Sequence, residues 1–215
     1  MPKKYDVILF DMDGTMADTD PMILDTFHFL YQKYRNGKGR PDSEIAYFSG
    51  PPIRGTLKNE FPELDEDAIF EEFYQESRKR YDAEHIFLYP HEKEVLLKLK
   101  QNGFKLGVVT NKRRDLAIVT LKVLGLEDVF DILLGIDDVV NSKPHPESIE
   151  RAIKELGGDK KHTLYIGDNK MDYDTAVNSG VDCCIVNWGP RVFPKEIIPT
   201  FKINSYLELE EHLYE

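Results

Sequence analysis

Cysteine is scarce in this 215-residue chain: Cys183 and Cys184 are the only two, adjacent and inside an apolar run. Such a pair frames no disulfide-stapled fold and is expected to stay buried and reduced. Long hydrophobic runs are missing as well, since no stretch approaches the ~18 apolar residues of a membrane span. The run behind Met-Pro-Lys-Lys is only Val7 to Phe10, broken at once by Asp11 and Asp13. No signal peptide is expected, and the chain reads as a soluble cytoplasmic protein. Positive charge is in deficit: 28 Lys+Arg face 39 Asp+Glu, a net charge of −11. Nucleic-acid binders need a basic face against phosphates, and surface-bound membrane helices are basic too, so neither partner is expected. The six histidines show no ligand spacing, and there is no His/Cys cluster for zinc. No Gly-x-x-x-x-Gly-Lys-Ser/Thr occurs, which leaves a P-loop nucleotide hydrolase unsupported.

What is present suits a folded chain with a real core. Apolar residues make up 41% and aromatics 11%, which argues against disorder. A chain of this length can bury roughly 70% of the surface it exposes unfolded. Short apolar runs recur at Val7–Phe10, Leu106–Val109, Ile132–Leu134, Leu164–Ile166 and Cys183–Val186. Continuous runs of this length suit strands buried on both faces. Helical spacing fills the gaps. Ile149, Ala152, Ile153 and Leu156 precede Gly157, Leu116, Val119 and Val123 precede Gly125, and Val95, Leu96 and Leu99 precede Gly103. This alternation predicts an α/β fold, a doubly wound, Rossmann-like parallel sheet with helices on both faces. Residues 16–85 break it, with no convincing strand. Pro21 opens a helix whose apolar stripe runs through Ile23, Phe27, Leu30 and Tyr31 until Asn36-Gly-Lys-Gly39; Ser49-Gly-Pro-Pro52 is a turn; Asp65 to Tyr81 is a second helix. A small all-helical domain over 16–85 is therefore expected inside a core made of 1–15 and 86–215.

Sites in open parallel sheets form beyond the carboxyl ends of the strands. Reading there, the first run delivers Asp11-Met-Asp13-Gly14-Thr15 and the second Thr110-Asn111-Lys112. The third leads to Ser142-Lys143-Pro144, and the fourth to Gly167-Asp168-Asn169 with Asp172 and Asp174 behind. Carboxylates crowded at one rim raise one another's pKa unless a cation neutralises them. An all-oxygen set with few carboxylates suits Mg²⁺, which would also bind a phosphoryl oxygen. Lys143 and the Thr110 hydroxyl supply the remaining charge and positioning that phosphoryl transfer requires. One carboxylate can serve as nucleophile and a second as general acid and base. Asp18 and Asp20 are expected to start the first helix, Asp174 to be solvated, Lys112 and Arg113 to face solvent, and Trp188 to pack at the rim.

These motifs, in this order, resemble the haloacid dehalogenase-like hydrolase superfamily from the first strand to Trp188-Gly189, and the helical insertion resembles its small cap domain. The resemblance implies Asp11 as nucleophile, Asp13 as general acid/base, and Thr110 and Lys143 as catalytic holders of the phosphoryl group. It implies Mg²⁺ held by Asp11, Asp13 through its carbonyl, and Asp168, with Asp172 as an outer or variable ligand. Asn111, Gly14 and Thr15 are implied as substrate-binding, and so is Arg54, on the cap loop after the Gly-Pro-Pro turn, whose fork suits an oxyanion. The family's dehalogenases lack the second acid, so Asp13 points to a phosphatase acting on a small phosphorylated metabolite. Phosphoglycolate phosphatases and the related pyrophosphatases are the nearest subgroups. Ser49–Pro52, Ile136–Asp138 and Gly167–Asn169 lean toward the pyrophosphatase side. A phosphosugar mutase is the alternative enzyme, although its last motif usually begins Glu-Asp. A phospho-acceptor regulatory domain is the alternative outside enzymes, and Asp13 argues against it. A monomer or weak homodimer is expected.

Overall fold

The computed structural model describes residues 2–189, 193–195 and 197–215. Six strands form one parallel sheet in the order β3-β2-β1-β4-β5-β6. They are β1 (Val7–Phe10), β2 (Lys105–Val109), β3 (Ile132–Leu134), β4 (Thr163–Gly167), β5 (Asp182–Val186) and β6 (Phe201–Ile203). The chain winds outward from β1 in both directions, so a crevice opens at the carboxyl end of the central strand. Phe10 is in register with Val108 on one side and Ile166 on the other, which brings the segments after three strands level with one another.

Alternation along the strands sorts side chains between two faces. Ile8 and Phe10 join Leu106, Val108, Leu164 and Ile166 in one core, closed by α5 (Glu92–Gln101), α6 (Arg114–Leu124) and a C-terminal 3₁₀ segment, Tyr206–His212. Val7, Leu9, Tyr165 and Ile185 enter the other, covered by α7 (Glu147–Leu156) and α8 (Lys170–Ser179). Each such fully buried aliphatic or aromatic side chain contributes ~1.5–3 kcal/mol. Gly125, Gly157 and Gly180 end α6, α7 and α8 in left-handed conformation, and Cys183 and Cys184 are buried free thiols.

Between β1 and α5 lie α1 (Asp20–Arg35), α2 (Asp42–Ile45), α3 (Ile53–Glu60) and α4 (Glu66–Arg78). They hold an apolar core of their own, in which Phe27 packs against Phe48 and Phe73. Asp18 and Phe87 pair their backbones where the chain leaves and re-enters the sheet domain, through N–H···O bonds of 2.9 and 3.1 Å. Asp18 also accepts from the Asp20 backbone N–H, which fixes the start of α1. Elements outside the sequence expectation include the short α2 and two others. The segment after Pro52 continues as α3, and the sheet gains β6 at its edge.

Candidate active site

Asp11 leaves β1 at its carboxyl end with 2% of its surface exposed. Its Oδ1 lies 2.8 Å from the Lys143 ammonium, which also reaches Asp172 Oδ1 at 2.7 Å and donates to the Tyr165 hydroxyl at 3.0 Å. Two side chains aim this lysine. Asn111 brackets its backbone, accepting from Lys143 N–H at 3.1 Å and donating toward its carbonyl at 3.4 Å. Tyr165 rises from the middle of β4, its hydroxyl within 3.1 Å of both the Val109 carbonyl and Asp172 Oδ1. Burial works to lower the Lys143 pKa, but Asp11 and Asp172 outweigh it and hold the ammonium above its ordinary range. Burial likewise pushes the Asp11 carboxyl up to about 7, against the pull of Lys143.

Asp172 is anchored on both oxygens. Its Oδ2 accepts the backbone N–H groups of Asp168 and Asn169 at 3.1 and 3.2 Å, and these bonds start α8. The approach requires Gly167, because a Cβ there would overlap the Asp172 side chain. Asn169 caps α8 with its carbonyl oxygen and donates to Asp168 Oδ1 at 3.0 Å. Asp11, Asp168 and Asp172 are thereby gathered, all buried, with one oxygen from each within 4.8 Å of the others. Three buried carboxylates this close raise one another's pKa unless a cation joins them, and an all-oxygen donor set is the set a hard divalent cation takes. These residues fit Mg²⁺.

Asp13 is turned away from that cluster. Its Oδ1 accepts from Thr19 at 2.8 Å and pairs with Lys112 at 2.7 Å. Lys112 is therefore not the solvent-facing lysine expected. Its side chain is 7% exposed and lies over the Tyr81 ring, and its opposite charge is the Asp13 carboxylate. Burial opposes that charge, but Asp13 outweighs it and holds the ammonium above its ordinary range. Burial also pushes the Tyr81 hydroxyl up to about 12, against Lys112.

A cavity of about 380 Å³ lies above these groups, between the sheet domain and the helices. Asp11, Asp13, Thr110, Asn111 and Lys112 form its floor; Phe48, Phe70, Phe73 and the Ser49–Pro52 turn belong to its roof. Thr110 is buried there, its hydroxyl accepting from Lys112 N–H. Arg54 also lines it, but its guanidinium is bound to Asp67 at 2.6 Å and stacked on Phe70. Gly14 and Thr15 lie outside the lining. Gly14 turns the loop at φ 84°, and the Thr15 carbonyl accepts from Tyr206. Arg113 is exposed as expected and paired with Asp115. Sequence reading missed Tyr165 and the burial of Lys112. A tyrosine inside an otherwise aliphatic strand was the available signal for the first.

The chain from Ile8 to Val186 matches the family model described as haloacid dehalogenase-like hydrolase. Pyrophosphatase PpaX of Halalkalibacterium halodurans is 35% identical over 212 residues, 96% of this chain and 95% of that protein. A solved Bacteroides fragilis structure assigned to the haloacid dehalogenase-like hydrolases superposes with a TM-score of 0.84 at 29% identity, covering 96% of this chain and all of that one. A Lactobacillus delbrueckii structure assigned as a phosphoglycolate phosphatase gives 0.82 at 26% identity, over 99% of this chain and all of the other. With the acid–lysine rim at the head of β1, and with matches running along nearly the whole length, the chain belongs to the haloacid dehalogenase-like hydrolase family.

Proposed function

We propose that the protein is a Mg²⁺-dependent phosphohydrolase acting on a small phosphorylated metabolite, a phosphoglycolate-like monoester or pyrophosphate. The observation that carries this reading is the placement of Asp11. It is a buried carboxylate on the floor of a cavity, paired with Lys143, beside two further acids and two residues from Asp13.

Asp11 is the nucleophile. One of its oxygens attacks phosphorus, and the bond to the leaving oxygen breaks with its electron pair staying on that oxygen. Lys143 and Thr110 hold the phosphoryl oxygens as the charge spreads. Asp13, on the cavity side, gives a proton to an alkoxide leaving group and then takes one from the water that opens the aspartyl phosphate. Asp11, Asp168 and the Asp13 carbonyl would hold the metal, with Asp172 behind them. When bound, Mg²⁺ supplies charge for the phosphoryl oxygens. Residues 16–85 act as a cap hinged at Asp18 and Phe87, whose closed position excludes bulk water and sets which leaving group fits. Arg54 borders the entering substrate from the cap. The PpaX relative supports pyrophosphate as one candidate.

The test is release of inorganic phosphate from a panel of phosphate esters and pyrophosphate, with Mg²⁺ and with excess EDTA. Metal-dependent release that Asp11→Asn abolishes, with the fold kept, is expected. Silence across the panel from folded protein, or wild-type turnover by Asp11→Asn, would refute the reading.

A further inference from the structure

Two buried lysines stand at the rim, and each is matched to one carboxylate of the Asp11-Met-Asp13 motif. Lys143 is paired with Asp11, on the side where phosphorus is attacked. Lys112 is paired with Asp13, the residue that meets the leaving group in the reading above. The phosphohydrolase reading gives Lys143 a task and leaves Lys112 without one.

The other cations bordering the cavity are poor candidates for the departing group. Arg54 and Arg113 have side chains 43% and 45% exposed, and each is bound to a carboxylate of its own surface, Asp67 and Asp115. Among the described lining residues, Lys112 is the buried cation. Its ammonium is 2.7 Å from the Asp13 oxygen. Any oxygen that hydrogen-bonds to the Asp13 carboxyl group therefore lies within a few ångströms of a fixed positive charge. The charge is held from two sides, by Asp13 and by the Tyr81 ring, so little reorganisation is needed when an anion forms beside it.

Resting on the reading above, we propose that Lys112 is the electrostatic partner of the leaving group and tunes the site to phosphoanhydrides. Its ammonium stabilises an oxygen that departs as an anion. In pyrophosphate the Asp11 oxygen bonds to one phosphorus while the bridging bond breaks. The electron pair goes to the second phosphate, which leaves as a stable anion beside Lys112. An alkoxide leaving from a phosphomonoester needs a proton, and a neighbouring charge helps it less. Asp13 then serves mainly the second step, taking the proton of the attacking water while Asp11 is regenerated.

The test compares wild type, Lys112→Met and Lys112→Arg on pyrophosphate, phosphoglycolate and a series of aryl phosphates graded by phenol acidity. In wild type, kcat/KM for pyrophosphate should exceed that for phosphoglycolate. Lys112→Met should lose about 100-fold on pyrophosphate and only about fivefold on phosphoglycolate, the first being the usual cost of one preorganised charge at a developing anion. Its rate should also depend more steeply on phenol acidity, and Lys112→Arg should restore the shallow slope. An equal loss on every substrate with an unchanged slope would make Lys112 a structural residue and overturn the proposal. So would a wild-type preference for phosphoglycolate, which needs no variant to fold. Wild-type silence on the whole series would overturn the phosphohydrolase reading itself.

Discussion

Gly50 lies directly on Asn169: a Cβ at Gly50 would stand 2.8 Å from the Asn169 amide nitrogen. That nitrogen donates to Asp168, while the same side chain caps α8. The turn leading into α3 therefore touches the residue that orients the acidic cluster. The Ser49–Pro52 and Gly167–Asn169 segments, singled out separately in the sequence, are one contact in space.

Replacing Gly50 by alanine tests that contact. Gly50 has φ 104°, which side-chain-bearing residues rarely adopt, and the added methyl must displace Asn169 or lift the turn. Strain of this kind costs ~1–3 kcal/mol. Gly50→Ala should lower Tm by a few degrees, because ~1 kcal/mol corresponds to roughly 2–4 °C at this chain length. It should also raise the Mg²⁺ concentration for half-maximal activity. A differential scanning melt and a Mg²⁺ titration of phosphate release check both effects. Unchanged values would mean that turn and acidic cluster are independent.

Asp172 and Tyr165 should separate in size of effect. Asp172, fully buried, binds Lys143 and two backbone N–H groups. Removing one partner of a buried ion pair typically costs ~3–5 kcal/mol. Tyr165→Phe removes one hydroxyl from the same network and should cost about 1 kcal/mol. Urea unfolding of Asp172→Ala and Tyr165→Phe measures the pair. Equal costs would show that Lys143 does not depend on Asp172 for its charge balance.

Much of this arrangement was legible in advance. The apolar runs marked five strands, and the residues following them marked the rim, because buried parallel strands and their polar ends obey local rules. β6 was not legible: it is three residues long with Lys202 at its centre, and it depends on pairing with β5. The helix after Pro52 was hidden by Gly55 and by the strong turn signal before it, although Ile53, Leu57 and Phe61 share a helical face. Lys112 was misread for a different reason. A lysine's environment is set by what folds against it, and Asp13 lies 99 residues away in the chain. Asn111 adds a role its motif did not show, since it lines the cavity and also brackets the backbone of Lys143 with its amide.

Glu92 predicts a pH dependence of stability away from the rim. It opens α5 fully buried, with one oxygen accepting the Tyr89 N–H at 3.0 Å. Burial raises its pKa well above the ordinary value, against that hydrogen bond. The folded state therefore holds a proton that the unfolded chain releases near pH 4.3. The contribution is fully present below that pH and is lost as pH rises toward the folded value, at about 1.4 kcal/mol for each unit of upward shift. Glu92→Gln mimics the protonated form. It should flatten the fall in stability over this range and leave the variant more stable than wild type at neutral pH. Denaturation midpoints from pH 4 to 8 decide the matter, and parallel curves for the two proteins would refute it.

Metal binding should be visible without turnover. Asp11, Asp168 and Asp172 place one carboxylate oxygen each within 4.8 Å of the others, the kind of all-oxygen set that a hard divalent cation takes. A cation that binds only the folded state stabilises it by RT ln(1 + [L]/Kd), about 2.7 kcal/mol at a hundredfold excess over Kd. Mg²⁺ should therefore raise Tm by several degrees, and EDTA should reverse the rise. Asp168→Asn removes one charged ligand from the cluster and so weakens the cation's hold. Its response to Mg²⁺ should nearly vanish while the metal-free protein stays folded. A full Mg²⁺ response in Asp168→Asn would place the cation elsewhere, whereas loss of the response together with a collapse in metal-free stability would mean that Asp168 serves the fold before the metal.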